Sequence, residues 1–190
     1  AVTQTPAVDL SSGPLIETGR ELDVAVDGDG WIAVQNANGE EAYTRGGNLS
    51  VDTFGLLRNE RGLLVMGNSG PIAIPEAEKI DVGVDGTISV RALGQGPETL
   101  VAVDRIKLVN PDTSALQKQQ DGLIYSRNDI EALDANVRLR SGFLENSNVN
   151  AVGELTSIVA LARQFEMQIK MMQTVAENAE SSARVLQVQV

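Results

Sequence analysis

The sequence predicts a mainly β domain, sandwich-like or barrel-like, with about ten short antiparallel strands, followed by one long C-terminal α-helix. Three observations carry this. Short apolar runs broken by glycine-containing turns recur to about residue 130. No glycine follows Gly153 and no proline follows Pro111. From Asn150 onward, apolar residues recur at alternating steps of three and four.

Residues 1–19 carry Pro6, Gly13, Pro14 and Gly19 among isolated apolar residues, and read as an extended arm with at most one strand. Residues 20–130 form the β-rich body. Its runs are Leu22–Val26, Trp31–Gln35, Ala42–Arg45, Asn48–Val51, Leu56–Arg58, Leu63–Met66, Ile72–Ile74, Ile80–Val84, Thr87–Arg91, Val101–Val109 and Leu123–Ser126. Between them stand Asp27-Gly28-Asp29-Gly30, Asn38-Gly39, Asp85-Gly86 and Asp121-Gly122, signals for two-residue hairpin turns. Residues 131–149 read as a connector.

Residues 150–190 read as a coiled-coil-type helix. The register Leu155, Ile158, Ala162, Phe165, Ile169, Met172, Ala176, Ala179, Ala183, Leu186 and Val190 is apolar throughout. A seam of mean spacing 3.5 predicts a helix packed lengthwise on another helix, so these residues are the candidate assembly interface. Asn148 or Asn150 can cap its start, and Glu154 complements the first-turn dipole. The later alanines admit close approach of a partner backbone. Met167 and Met171 lie off the seam, where flexible thioethers suit contact with several neighbours.

Composition narrows the chemistry. The chain has 190 residues with no cysteine and no histidine, and a net charge of −11. Disulfides, thiol catalysis, imidazole bases and most transition-metal sites are thereby excluded. The acidity disfavours nucleic acid and anionic lipid as partners, and no apolar stretch is long enough for membrane insertion. Residues 1–130 hold 19 acids and 10 bases, whereas the helix is close to neutral.

The Asp27–Gly30 turn invites a calcium reading, but Trp31 and Ile32 stand where an EF-hand needs a ligand and a glycine. Gly28-Asp29-Gly30 and Gly94-Gln95-Gly96 lack the third glycine of a phosphate loop. Glu40-Glu41 and Asp27/Asp29 are carboxylate pairs of the kind expected on solvated faces of a chain with 26 acids. Trp31, Tyr43, Phe54 and Tyr125 are expected in the β core. No catalytic, metal or cofactor site emerges, and the chain reads as a structural protein without cofactors, not an enzyme.

Three stretches carry a resemblance. They are Leu22-Asp23-Val24-Ala25-Val26 through Gly30-Trp31-Ile32 to Tyr43-Thr44-Arg45-Gly46-Gly47-Asn48; Gly70-Pro71-Ile72-Ala73-Ile74-Pro75 with Asp85-Gly86-Thr87-Ile88-Ser89; and Gly142-Phe143-Leu144-Glu145-Asn146-Ser147-Asn148-Val149-Asn150 leading into Arg163-Gln164-Phe165-Glu166-Met167-Gln168-Ile169-Lys170. Together they resemble the rod and hook axial proteins of the bacterial flagellum. Arg163-Gln164-Phe165-Glu166 favours the proximal-rod type over the distal-rod type.

The resemblance implies a torque-transmitting subunit of the basal-body rod, polymerising through its C-terminal helix. It implies partners among other rod subunits, copies of itself and the ring proteins around the rod. It further implies export as an unfolded chain by the flagellar type III apparatus. Family members begin with a helix that this sequence does not contain, which is the helix the seam is expected to pack against. The competing readings are a distal-rod subunit, a secreted fibre or adhesin with a β head and helical stalk, and an acidic secreted enzyme or sugar-binding module.

Overall fold

The computed structural model describes residues 9–94, 96, 99–127 and 130–187, with side chains except at 151 and from 180 onward. The chain divides into two compact units after Asn148. In the first, the described strands are β1 (Leu15–Glu17), β2 (Val24–Asp27), β3 (Trp31–Gln35), β4 (Glu41–Thr44), β5 (Leu49–Val51), β6 (Leu57–Asn59), β7 (Leu64–Val65) and β8 (Ala77–Val82). They continue with β9 (Thr87–Ala92), β10 (Val101–Arg105), β11 (Leu108–Val109), β12 (Leu116–Lys118), β13 (Ile124–Ser126), β14 (Arg138–Ser141) and β15 (Phe143–Glu145). The second unit contains one helix, α1 (Ala151–Gln187).

The strands form several antiparallel sheets. The largest runs β12-β13-β4-β3-β7-β6-β5, with β11 also paired to β3. A second runs β10-β9-β8, and two-stranded ribbons join β14 to β2 and β1 to β15. Strand β3 sits between two apolar clusters because its residues alternate faces. Ile32 and Val34 enter the main core with Val24, Leu57, Ile88 and Leu139. Trp31 and Ala33 face a second cluster with Tyr43, Val109, Leu116 and Ile124, against which Leu10 packs. Each fully buried Ile or Leu contributes roughly 1.5–3 kcal/mol relative to exposure, so an alternating strand with two filled faces anchors the sheet.

Five hairpins share one loop design, spanning 36–40, 52–56, 59–63, 83–87 and 119–123. In each, the fourth residue is a glycine with φ between +76° and +86° whose N–H donates to the first residue's carbonyl. The first residue's N–H donates to the fifth residue's carbonyl. These are three-residue loops ending in a left-handed glycine, longer than the two-residue turns the dipeptides suggested. Asn36, Asp52 and Asn59 each accept two backbone N–H groups inside their own loops. Where the first residue is Gly83 or Gln119, Asp85 and Asp121 take over by accepting from Thr87 and Leu123.

Other differences from the sequence reading have local causes. The Asp27–Gly30 turn is not a hairpin, since β2 pairs with β14 and β3 with β4, β7 and β11. At Gly30, φ is +135° and a Cβ would lie 2.7 Å from Val137, so the chain passes under that side chain into a different sheet. The stretch read as a connector, 131–149, holds β14 and β15. Buried Val137 and Leu139 alternate there with exposed Arg138 and Arg140. Ile72 and Ile74 are buried, but their segment makes only isolated bridges. Phe54, expected in the core, is 86% exposed.

Arg45 ties four segments of the body together. Its Nε donates to Glu145 at 2.7 Å, Nη1 to the Gly30 carbonyl at 2.8 Å and Nη2 to the Gly28 carbonyl at 2.9 Å. Its guanidinium lies 5.5 Å from the Trp31 ring centroid, within cation–π range. Glu145 also accepts the Gly13 N–H at 2.8 Å, which holds the arm beside β15. Both side chains are nearly buried, at 12% and 8% exposure.

Removing one partner of such a pair leaves a buried charge uncompensated. Arg45→Ala should therefore lose about 3–5 kcal/mol in urea unfolding, and Arg45→Ala/Glu145→Ala should lose clearly less than the sum of the single changes.

The hairpin loops also predict a pH dependence. Asp52, Asp85 and Asp121 are held below the usual carboxylate range, chiefly by hydrogen bonds from Arg58, Thr87 and Tyr125 respectively. A carboxyl depressed in the folded state gives stability that is complete above its unfolded pKa, about 3.9, and is lost as pH falls through the lower folded value. Unfolding midpoints should fall below about pH 4, and the triple Asp→Asn variant, which keeps an accepting oxygen in each loop, should show a shallower decline.

Candidate assembly interface

Helix α1 begins where its sequence signals a cap. Asn150 Oδ1 accepts the Val152 and Gly153 N–H groups at 3.1 and 3.2 Å, while Glu154 lies in the first turn. Asn148, the other capping candidate, instead donates to the Ser11 carbonyl of the arm. The absence of glycine and proline after Gly153 lets the helix continue for 37 residues, roughly 55 Å at 1.5 Å per residue.

Its apolar side chains face solvent. Along the seam, Leu155, Ile158, Phe165 and Met172 are 60–64% exposed. Ala162, Ala176 and Ala179 are exposed and Ile169 is half-buried. Ala183 and Leu186 lie on the helix backbone but their side chains fall outside the described residues, as does Val190 altogether. Thus all the seam positions with described side chains lie on one stripe of the helix, and most are accessible.

A second stripe was only half legible. Met167 and Met171 were recognised as lying off the seam, but Val175 continues them at i+4, and all three are 62–67% exposed. At 100° per residue this stripe lies roughly 140° around the axis from the seam. Val152 and Val159 flank the seam on its other side at 71% and 50% exposure, beside Leu155 in a shallow apolar recess. The i, i+4 spacing of Met167, Met171 and Val175 is the signal that identifies the second stripe.

The residues considered for chemistry are occupied structurally. Lys107 Nζ reaches both Glu41 oxygens at 2.8 Å, and the Tyr43 hydroxyl donates to Glu41. Burial pushes the Tyr43 phenol well above its ordinary pKa, so it stays protonated and donating. Glu40 accepts from Asn36, and Asp27 pairs with Arg140 at 3.1 Å. Among the described residues no group of three or more acidic side chains is placed to hold a metal, and no helix is long and apolar enough to cross a membrane.

Comparison with known proteins places these features. The family model described as flagellar hook protein FlgE/F/G D1 domain matches residues 25–90, and that described as flagellar basal body rod FlgEFG protein C-terminal matches residues 140–185. The chain is 41% identical over 189 residues to the flagellar basal-body rod protein FlgF of Escherichia coli (strain K12), covering 96% of this chain and 75% of that one. It is 34% identical over 184 residues to the protein of the same name from Caulobacter vibrioides, covering 95% and 71%. To the flagellar basal-body rod protein FlgG of Bacillus subtilis (strain 168) it is 34% identical over 167 residues, covering 83% and 62%. The chain belongs to the flagellar basal-body rod protein FlgF family, structural and non-enzymatic subunits that assemble with other rod subunits in the basal body of the bacterial flagellum.

Proposed function

We propose that this subunit builds the proximal part of the rod and polymerises through the seam of α1, so that torque passes from subunit to subunit toward the hook. The supporting observation is that a long helix keeps its large seam side chains accessible: Leu155, Ile158, Phe165 and Met172 are each at least 60% exposed. Burying each stabilises association by roughly 1.5–3 kcal/mol, on the order of 10 kcal/mol for the four. Association itself costs about 4–15 kcal/mol, so one seam is close to break-even and the second stripe is needed for firm assembly.

In this reading the β unit is the outer body of the rod and residues 150–190 are the assembly helix. The seam faces a helix of a neighbouring subunit or of the same polypeptide. The second stripe meets a further neighbour, and the rings around the rod meet the acidic body. Arg163-Gln164-Phe165-Glu166 and the 41% identity to the FlgF of Escherichia coli support the proximal position, while the FlgF of Caulobacter vibrioides and the FlgG of Bacillus subtilis stand level at 34%. Export by the flagellar type III apparatus as an unfolded chain accords with the lack of cysteine, since no disulfide then hinders threading.

Replacing Ile169 with Asp in the full-length protein places a charge in the middle of the seam. The β unit should unfold at the same urea concentration as in the parent, while swarming is lost and basal bodies contain no assembled subunit. Normal rod assembly with Asp at 169 would refute the interface.

A further inference from the structure

The charges of α1 are sorted by position. With Leu155 at a and Ile158 at d of a heptad, the seam is edged by the e and g positions, which are those that meet a partner helix across it. Glu154 stands at g, and Glu166 and Glu180 stand at e. The three basic residues of the helix, Arg163, Lys170 and Arg184, all stand at b, outside the e edge. No base occupies either edge, so the seam has an acidic border although the helix as a whole is close to neutral. A helix charge is commonly answered by an opposite charge three or four residues away. Glu166 lies three residues after Arg163 and four before Lys170, yet neither it nor Glu154 forms an ion pair among the described residues. Both side chains are exposed and are left for a cation outside their own helix.

Another copy of α1 supplies no such cation. In a parallel pair, g of one helix faces e of the following heptad in the other. Glu154 then meets Val159, Leu161 meets Glu166 and Val175 meets Glu180, so each carboxylate is set against an apolar side chain. In an antiparallel pair e faces e and g faces g, which lays acidic edge on acidic edge. The basic residues at b point away from the partner in both arrangements. The apolar seam is buried equally well by either kind of helix, so the edge charges decide which one is accepted.

We infer that Glu154, Glu166 and Glu180 select, as the seam partner of α1, a helix of different sequence whose own edges carry lysine or arginine, and disfavour a second α1. The inference rests on the seam being the assembly face proposed above. Cations opposite Glu166 and Glu180 stand two heptads apart on that helix, roughly 21 Å along its axis. The net charge of −11 acts in the same sense at longer range, drawing a basic helix and repelling a copy of this chain.

Two labelled synthetic peptides of five heptads test this. They share leucine at a and d and differ only at e and g, with lysine in one and glutamate in the other, so that neither pairs well with itself. By fluorescence anisotropy at low salt the chain should bind the lysine peptide roughly tenfold more tightly than the glutamate peptide, and added salt should close the gap. The variant Glu154→Lys/Glu166→Lys/Glu180→Lys should lose that preference with an unchanged urea midpoint of the β unit. Equal affinity of the parent for the two peptides overturns the charge match and leaves the seam standing as a docking face. A preference that survives the reversal also overturns it, because the acidic body alone then attracts lysine. Binding of neither peptide removes the seam as a docking face, and the proposed function with it. In motile cells, full-length protein with the same reversal should be depleted at least tenfold from basal bodies. Incorporation at the parental level overturns the inference.

Discussion

The guanidinium of Arg45 is where the β body is drawn together. Placing a cation and a carboxylate at 12% and 8% exposure costs several kcal/mol per ion in desolvation, which only well-formed partners offset. Here the partners come from three places in the chain: the Gly28–Trp31 segment with its two carbonyls and ring, Glu145, and through Glu145 the Gly13 amide. With that set satisfied, the Asp27–Gly30 turn is held to Arg45 and closes no hairpin, β2 pairs with β14, and the arm is held beside β15. One buried ion pair thus ties the turn, the arm and β15 to the end of β4.

Two different periodicities divide the work of the molecule. In the β unit, period-two alternation lets short strands fill two apolar clusters while charges stay outside, and that unit carries most of the net charge. In α1 a spacing of 3.5 collects apolar residues on a stripe with nothing in its own helix to cover them. Such a helix close to neutral would be a poor soluble segment by itself. Attached to a strongly acidic body, it shares that body's charge repulsion against aggregation.

How much of this was legible depends on the sequence distance over which each feature is decided. Trp31–Gln35 alternates within five residues, and its strand bounds are those of the apolar run. The helix and its cap are equally local, because Asn150, Glu154 and the steps of three and four lie within a few turns. The Arg45–Glu145 pair spans 100 positions, and nothing near either residue signals the other. Strand β14 differs, since Val137, Arg138, Leu139 and Arg140 alternate apolar and charged within four residues, and what the sequence does not show is β2 as its partner. Phe54 was misplaced for another reason: near turns an aromatic is usually a core plug, and only the Asp52 loop reveals that this one points outward.

The arrangement of apolar stripes on α1 constrains the kind of assembly it can serve. A two-stranded coil buries one a/d seam and leaves the rest of each helix in water, so Met167, Met171 and Val175 would remain exposed in it. A helix gains from burying a stripe roughly 140° away only when a third helix or another surface lies there. Small residues at Ala176 and Ala179 on the seam shorten the distance at which a neighbour can pack, which favours crowding over a simple pair. Contacts on several unlike faces of one subunit are heterologous, and successive heterologous contacts with a rotation that does not close generate a helical tube. On the proposed rod placement that multiplicity would matter: a twist applied to one helix would be resisted at every stripe engaged, so stiffness would rise with the number of faces.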